Sequence, residues 1–377
     1  MKKIHILLFL FISLTCLQAQ VTYTGKPMYK IDIKRGGTFL GSVIVELFPN
    51  IAYHHVRNFD SLVSVQFYDS TAFHRVIPDF MIQGGDPNSR HGTVNTWGNG
   101  QPGQPTVNAE FSAAKHLRGI LSAARSTNIN SATSQFFICV VAYPSLNNNY
   151  SVYGRVVSGM QWVDTTVMAP RNSSDRPNIK HEMFITAVGS NDTVPVKPNL
   201  VTPVNGTMAI DMSMALLLKW GAVSDGIIYS LEVAKDSLFT DIFKSLKTGN
   251  LSTYITSGLE PDLKYYWRVK VNNGGHYSPW SDVWTFDTHI DAVGLSENSK
   301  KGSIHAFPNP SGGKFTISDL ESGETLEVYD AAGKLVTSIL VKDGNQLVDL
   351  EGRDKGVYSF KVNKGDKEVA HGKLILK

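Results

Sequence analysis

Two stretches carry side chains fit for chemistry. The first is Phe73-His74-Arg75-Val76-Ile77-Pro78-Asp79-Phe80-Met81-Ile82-Gln83-Gly84-Gly85-Asp86, which sets a cation, apolar side chains and an amide along extended chain before two glycines stop it. Alternate side chains of a strand face the same way, so Phe73, Arg75 and Ile77 are expected on one face. The second is Ser131-Ala132-Thr133-Ser134-Gln135-Phe136-Phe137-Ile138, a strand with a large amide at its head. A guanidinium never gives up its proton and presents several donors in one plane, so Arg75 is suited to donating hydrogen bonds to a polar group. No nucleophilic triad, metal motif or phosphate loop accompanies it, and the glycines lie in turns without the spacing of a P-loop or dinucleotide fold. No cofactor and no metal are expected.

The elements that must position these residues read as many short strands. Tyr29-Ile31-Ile33, Gly36-Gly37 and Gly41 to Leu47 alternate around a glycine turn as a hairpin does. Residues 51–64 switch to helical spacing, with Val56, Phe59 and Val63 on one side and Asn50 as the expected cap. His54 and His55 are adjacent there and point about 100° apart, so they read as solvated helix residues and not as a shared metal site. Residues 87–108, rich in Gly, Asn, Gln and Pro, read as a long surface loop containing Trp97. Further strands follow at Leu121 to Arg125, Gln135 to Phe137, Val152 to Val157 and Ile185 to Gly189, with a second short helix over 159–168. Such a pattern predicts a mainly β fold, a closed antiparallel barrel capped by two helices.

The two stretches together resemble the signature of the cyclophilin family of peptidyl-prolyl cis/trans isomerases, and the likeness extends from about Lys26 to Gly189. The resemblance implies that barrel and makes Arg75 the catalytic residue. It places Phe80, Met81, Phe137 and Leu146 around a proline pocket, has Gln83 and Gln135 hold Arg75 and the substrate backbone, and puts Ala124 and Arg125 on the groove for residues preceding the proline. Phe136 reads as core. Where many cyclophilins have a tryptophan beside the pocket leucine this chain has Ser145, and where they have a histidine it has Tyr150, which can still donate a hydrogen bond to the substrate carbonyl. Because the implied reaction transfers no proton, His74 reads as a structural residue. The implied partners are proline-containing unfolded or surface polypeptides; the alternatives are a low-turnover proline-peptide binding protein, or an adhesion protein using the barrel as scaffold.

With 377 residues and domains of roughly 100 to 200 residues each, two or three domains are expected. The 36 basic and 33 acidic residues are spread without blocks, which argues against a nucleic-acid partner. Residues 1–19 read as a signal peptide: Met1-Lys2-Lys3, an apolar run too short to span a bilayer, and the small-residue exit at Ala19. Cleavage there leaves Cys139 as the sole cysteine, a buried strand thiol. No integral membrane span is expected, and the destination is the cell surface or medium by way of the periplasm.

After a linker near 191–198, residues 198–288 look like a fibronectin type III domain, with Trp220 as its early core tryptophan and Tyr265 as its corner tyrosine. Arg268 is placed to stack on the aromatics of Trp280-Ser281-Asp282-Val283-Trp284. A polar linker over 289–302 leads to residues 303–377, a small β-sandwich whose Phe307-Pro308-Asn309-Pro310, Leu326 to Asp330, Gly356 to Val362 and Gly372 to Lys377 resemble the C-terminal sorting domain of the type IX secretion system. That likeness implies the type IX machinery as a partner.

Overall fold

The computed structural model describes residues 21–212, 214–288, 304–365 and 367–377. The expected signal peptide and the linker over 289–302 lie outside the described residues. The chain divides into two compact units, one ending at Asp291 and one beginning at Ala292.

The first unit opens with an eight-stranded barrel: β1 (Lys26–Arg35), β2 (Thr38–Leu47), β3 (Thr71–Ile77), β4 (Met81–Gly84), β5 (Ile120–Ala123), β6 (Phe136–Cys139), β7 (Val152–Ser158) and β8 (His181–Asn191). They close in the order β1-β2-β7-β5-β6-β4-β3-β8, every pair antiparallel. The interior is filled by inward residues such as Ile31, Val45, Val76, Ile82, Leu121 and Ile138. Helices α1 (Tyr53–Ser64) and α3 (Met160–Val167) cap it, and a single turn, α2 (Asn88–His91), interrupts the long loop. Val56, Phe59 and Val63 are the buried stripe of α1, as the spacing predicts.

The start of α1 departs from expectation. Its first amides are capped not by Asn50 but by Glu110, whose carboxylate accepts from His54 N and His55 N at 3.0 Å each and meets His55 Nδ1 at 2.6 Å. A carboxylate from a distant loop suits the positive end of a helix, and it draws His55 inward. His55 is therefore 4 % exposed and not solvated. Asn50 is committed elsewhere, its N bonding Gly274 O at 2.8 Å and its Nδ2 bonding Gly275 O at 2.6 Å.

Those glycines belong to a two-sheet sandwich. One sheet holds β9 (Leu200–Thr202), β10 (Leu216–Trp220) and β13 (Ser252–Ile255), with β10 central; the other runs β12 (Ile242–Thr248), β11 (Ile228–Ala234), β14 (Lys264–Asn272) and β15 (Trp284–Asp287). Its strands are consistent with the fibronectin type III resemblance. Trp220, Tyr265 and Trp267 are buried between the sheets, and the Tyr265 hydroxyl accepts from Glu260 N at 2.9 Å, as a corner tyrosine does. Arg268 lies between Phe239 and Trp280, its guanidinium carbon 3.8 and 4.3 Å from their ring centres, and pairs with Glu232.

The sandwich is docked on the barrel by charge. Lys26 and Glu46, both wholly buried, pair at 3.0 Å; Lys26 also reaches Asp225 of the sandwich at 2.7 Å, and Arg155 bonds both Glu46 and Asp225. Asn191 donates to the second Glu46 oxygen at 2.9 Å, and Asn273 donates at 2.8 Å to the Asp225 oxygen that also takes Lys26. Two cations thus balance two anions. Burial pulls the Lys26 pKa below its ordinary value while Glu46 opposes that pull. Beside the cluster Ile228 packs with Phe48, Ile120 and Val152, and Gly274, at φ +96°, lies so close to the Phe48 ring that a Cβ there would collide with it.

The second unit is a β-sandwich with its own core around Phe315, Val328, Val348 and Phe360. One sheet has β16 (Ala306–Phe307), β17 (Lys314–Ile317) and β20 (Gln346–Asp349); the other has β18 (Thr325–Tyr329), β19 (Leu335–Leu340), β21 (Gly356–Lys364) and β22 (Lys367–Leu376).

Removing one member of a buried ion cluster leaves its partners uncompensated. Asp225→Ala is expected to destabilise the first unit by about 3 kcal/mol, read as a lowered urea midpoint. An unchanged midpoint would show that the cluster does not hold the sandwich in place.

Candidate active site

Strand β3 does not run regularly. Phe73 is opposite Gly84 and Arg75 opposite Gln83, so β3 has one residue more than β4 can match, and a bulge forms at His74. Phe73 consequently turns into the barrel core, 1 % exposed, whereas Arg75 and Ile77 face outward. The simple alternation that would put all three on one face is broken there.

The outward residues form two rows across the strands. Arg75 is opposite Gln83, Gln83 opposite Phe137, and Phe137 opposite Ser122. One pleat further along, Ile77 is opposite Met81 and Met81 opposite Cys139. With neighbouring strands about 4.8 Å apart, the backbones of residues 75 and 137 stand about 10 Å apart, a gap that an extended arginine and a phenyl ring bridge.

Met81, Phe137, Cys139 and Leu146 make the buried floor of an apolar cup, with Ile77, Phe80, Ala124 and Tyr150 half-buried around it. All four residues expected around a proline pocket are thereby brought together. Phe136 points the other way into the core, 0 % exposed. The Phe137 ring lies over His116 with centres 6.1 Å apart and meets Tyr150 edge-on at 5.6 Å; Phe80 contacts Tyr143 at 4.4 Å. Burial drives the Cys139 thiol pKa up to about 12, so it acts as an apolar wall. Ile77 and Cys139 were not among the expected site residues. Their alternate spacing with Arg75 and Phe137 was the signal.

His116 positions Leu146. It is 1 % exposed, and burial lowers its pKa. Asn147 Oδ1 accepts from its backbone N at 2.8 Å and lies 3.2 Å from Nδ1, while Nε2 lies 3.1 Å from Ser122 Oγ. An amide oxygen only accepts, so Nδ1 carries the proton, while the Ser122 hydroxyl near Nε2 donates its own proton to Ser151 O at 2.8 Å. This anchors the 3-10 turn Pro144–Leu146.

The polar residues are arranged differently from expectation. Gln83 Nε2 donates to Gln135 Oε1 at 3.0 Å, and Gln135 Nε2 donates to Gly98 O at 3.1 Å. The two amides hold each other and the loop, and Arg75 is left exposed, with no hydrogen bond or ion pair among the described residues. Gln83, Gln135, Ala124 and Arg125 line a cleft of about 280 Å³ beside the cup. Arg125 itself is tied down: it donates to Asn149 O at 2.9 Å and Ser126 O at 2.9 Å, and lies over the Tyr150 ring at 4.6 Å.

The loop wall has its own supports. Asp86 accepts from Gly98 N, Asn88 Nδ2 reaches Gly100 O at 2.6 Å, and the Trp97 indole donates to Gly92 O at 3.1 Å beneath the cations of Arg176 and Lys180. Trp97 is thus a loop anchor. His74 lies under Gly98 and is 5 % exposed; burial lowers its pKa to about 4, which keeps it neutral and structural.

Comparison with known proteins agrees with this geometry. Residues 30–189 match the family model described as cyclophilin type peptidyl-prolyl cis-trans isomerase/CLD. A probable peptidyl-prolyl cis-trans isomerase of Brucella suis is 39% identical over 160 residues, 41% of this chain and 79% of the relative. The chain belongs to the cyclophilin-type peptidyl-prolyl cis-trans isomerase family. Further relatives are the peptidyl-prolyl cis-trans isomerase of Acinetobacter baylyi, 39% identical over 36% of this chain and 72% of its own, and peptidyl-prolyl cis-trans isomerase-like 1 of Gibberella zeae, 37% identical over 37% and 84%. A solved cyclophilin type isomerase of Cryptosporidium parvum is 27% identical, covers 44% of this chain and 99% of its own, and has a TM-score of 0.39. Residues 305–377 match a secretion system C-terminal sorting domain.

As a member of this family the protein is a peptidyl-prolyl cis-trans isomerase with additional β-domains. In this cyclophilin Ser145 is exposed next to the buried Leu146, and Tyr150 is half-buried between Phe137 and Arg125.

His74 gives a pH prediction. Its folded pKa of about 4 lies below the ordinary 6.5, so the unfolded chain binds a proton that the fold excludes. Stability is expected to fall as pH drops from 6.5 toward 4, by on the order of 3 kcal/mol for this group. In His74→Gln the slope of unfolding free energy against pH in that window should be shallower by up to one proton. An identical slope would place the ring in water.

Proposed function

We propose that Arg75 catalyses rotation about X-Pro bonds of exported or surface polypeptides, with the proline ring seated in the cup of Phe80, Met81, Phe137 and Leu146. Rotation about a peptide bond faces a barrier of about 18 to 20 kcal/mol because C–N resonance must be broken, and X-Pro isomers exchange over roughly 10 to 100 s. In the twisted state the proline nitrogen regains a lone pair. A donor that meets this nitrogen stabilises the twisted state and not the planar one, which is the differential binding that catalysis requires.

The observation that carries the reading is the uncommitted guanidinium of Arg75, one strand from the amides and on the same outer face as the apolar floor. An arginine already saturated by carboxylates would have no donors to offer. Substrate covers this one, and its hydrogen bonds strengthen as water leaves. Reaching milliseconds from tens of seconds takes roughly 5 to 7 kcal/mol, more than one charged hydrogen bond supplies. The remainder comes from holding the ring in the cup while Gln83 and Gln135 bind the substrate backbone. Ala124 and Arg125 receive the residues before the proline, and the Tyr150 hydroxyl donates to the substrate carbonyl.

The proposed division is a signal peptide over 1–19, the isomerase over 26–190, a fibronectin type III domain over 198–288 and the sorting domain over 303–377. The sorting-domain match supports a secreted or cell-surface destination through the type IX machinery. No helix among the described residues is long and apolar enough to cross a membrane.

Because Arg75 is exposed and unpaired, Arg75→Ala should leave stability within about 0.5 kcal/mol. Its kcat/KM on a proline peptide should fall about 100-fold, equivalent to about 2.7 kcal/mol. Retained activity would remove Arg75 from the chemistry. Deleting residues 303–377 should leave the protein in the periplasm, and fractionation finding it still at the surface would overturn the sorting role.

A further inference from the structure

The candidate site does not end at the barrel. The outer rows have a direction: Gln135 and the 280 Å³ cleft lie beyond the Arg75–Gln83–Phe137 row, while Phe80 and Val140 lie beyond the Ile77–Met81–Cys139 row. At this second end Tyr143 stands against Phe80, 36 % exposed, and its N bonds His116 O at 2.8 Å. Next to His116 is Leu117, 52 % exposed, just ahead of β5. A chain lying in the cup with its pre-proline residues over Ala124 therefore leaves past Tyr143 toward Leu117.

There it meets the sandwich. Lys115 and Leu117 of the barrel and residues 249–254 of the sandwich line an open cleft of about 690 Å³. Its sandwich wall presents Leu251, 37 % exposed, and Tyr254, 55 % exposed. Tyr254 stands on β13, the edge of its sheet, so the outer backbone of that strand carries no sheet partner among the described residues. The wall is fixed and not a loose neighbour. Gly249 approaches so closely that a Cβ would lie 2.7 Å from Ala113 O, and the cluster of Lys26, Glu46, Arg155 and Asp225 clamps the two parts.

Exposed apolar side chains gathered along one rigid cleft that continues a peptide-binding face are suited to apolar residues of the same peptide. We propose that the sandwich extends the isomerase's substrate site, binding through Leu117, Leu251 and Tyr254 the apolar residues that follow the isomerised proline in an extended client chain. The proposal rests on the reading of the cup as the prolyl site. It makes unfolded segments with apolar side chains C-terminal to proline the preferred substrates.

The test uses the full chain and two peptides sharing one X-Pro core, extended on the C-terminal side by six residues, either Gly-Ser repeats or Leu- and Tyr-rich sequence. Isomerisation is followed by NMR exchange. The apolar tail should lower KM about tenfold. In the Leu117→Asp/Tyr254→Asp double variant that gain should vanish while the Gly-Ser peptide turns over as in the wild type. Equal KM for the two tails in the wild type, or a gain that survives in the double variant, overturns the proposal; the wild-type comparison decides even if the variant misfolds. Failure of the underlying reading looks different: Arg75→Ala would then catalyse both peptides at the wild-type rate.

Discussion

A closed eight-stranded barrel is just wide enough for its own inward side chains to fill it, and here they do, with Ile31, Val45, Ile82, Leu121 and Ile138 among them. The candidate site lies instead on the outer wall. Outer walls of barrels are ordinarily wet and shallow. Three additions shape the candidate site on this one: a bulge that aims Arg75, a turn that lays Leu146 over the strands, and a glycine-rich loop that walls one side.

The bulge at His74 is the smallest of these and has the widest effect. One extra residue on β3 lets Phe73 serve the core and Arg75 serve the surface, although they are two apart in sequence. The displaced His74 is the residue that fills the space under the loop, neutral because it is buried. Core packing, loop position and the direction of the guanidinium are therefore set by a single irregularity, and bulges are retained near active sites for this kind of re-aiming.

The second dependence is electrostatic. The buried pair Lys26–Glu46 between barrel and sandwich is joined by the half-buried Arg155 and Asp225, and the four hold as a set because Lys26 or Glu46 alone would bear the cost of desolvation. A cluster of this kind adds little net stability compared with apolar packing, but it tolerates only one register of the two surfaces. The sandwich is thereby a fixed part of the isomerase unit instead of a bead on a linker, and the cleft beside Leu117 has a lasting shape.

Much of this was legible in the chain itself. Alternation gave the barrel strands and helical spacing gave the buried stripe of α1, since each depends on neighbours two to four residues away; the members of the cup came only from the likeness of positions 73–86 and 131–138 to the cyclophilin signature. The stacking of Arg268 on Trp280 was also readable, because both lie on neighbouring segments of one sandwich. What sequence could not supply were contacts between residues far apart: Glu110 taking the cap from Asn50, His55 drawn inward by it, and the two glutamines bonding each other while Arg75 stays open. Local pattern sets which way a side chain points only while the strand stays regular. Where a bulge intervenes, or where a buried charge chooses among distant partners, the outcome is decided by closure of the whole fold, because only then is water removed and each polar group made to find its partner.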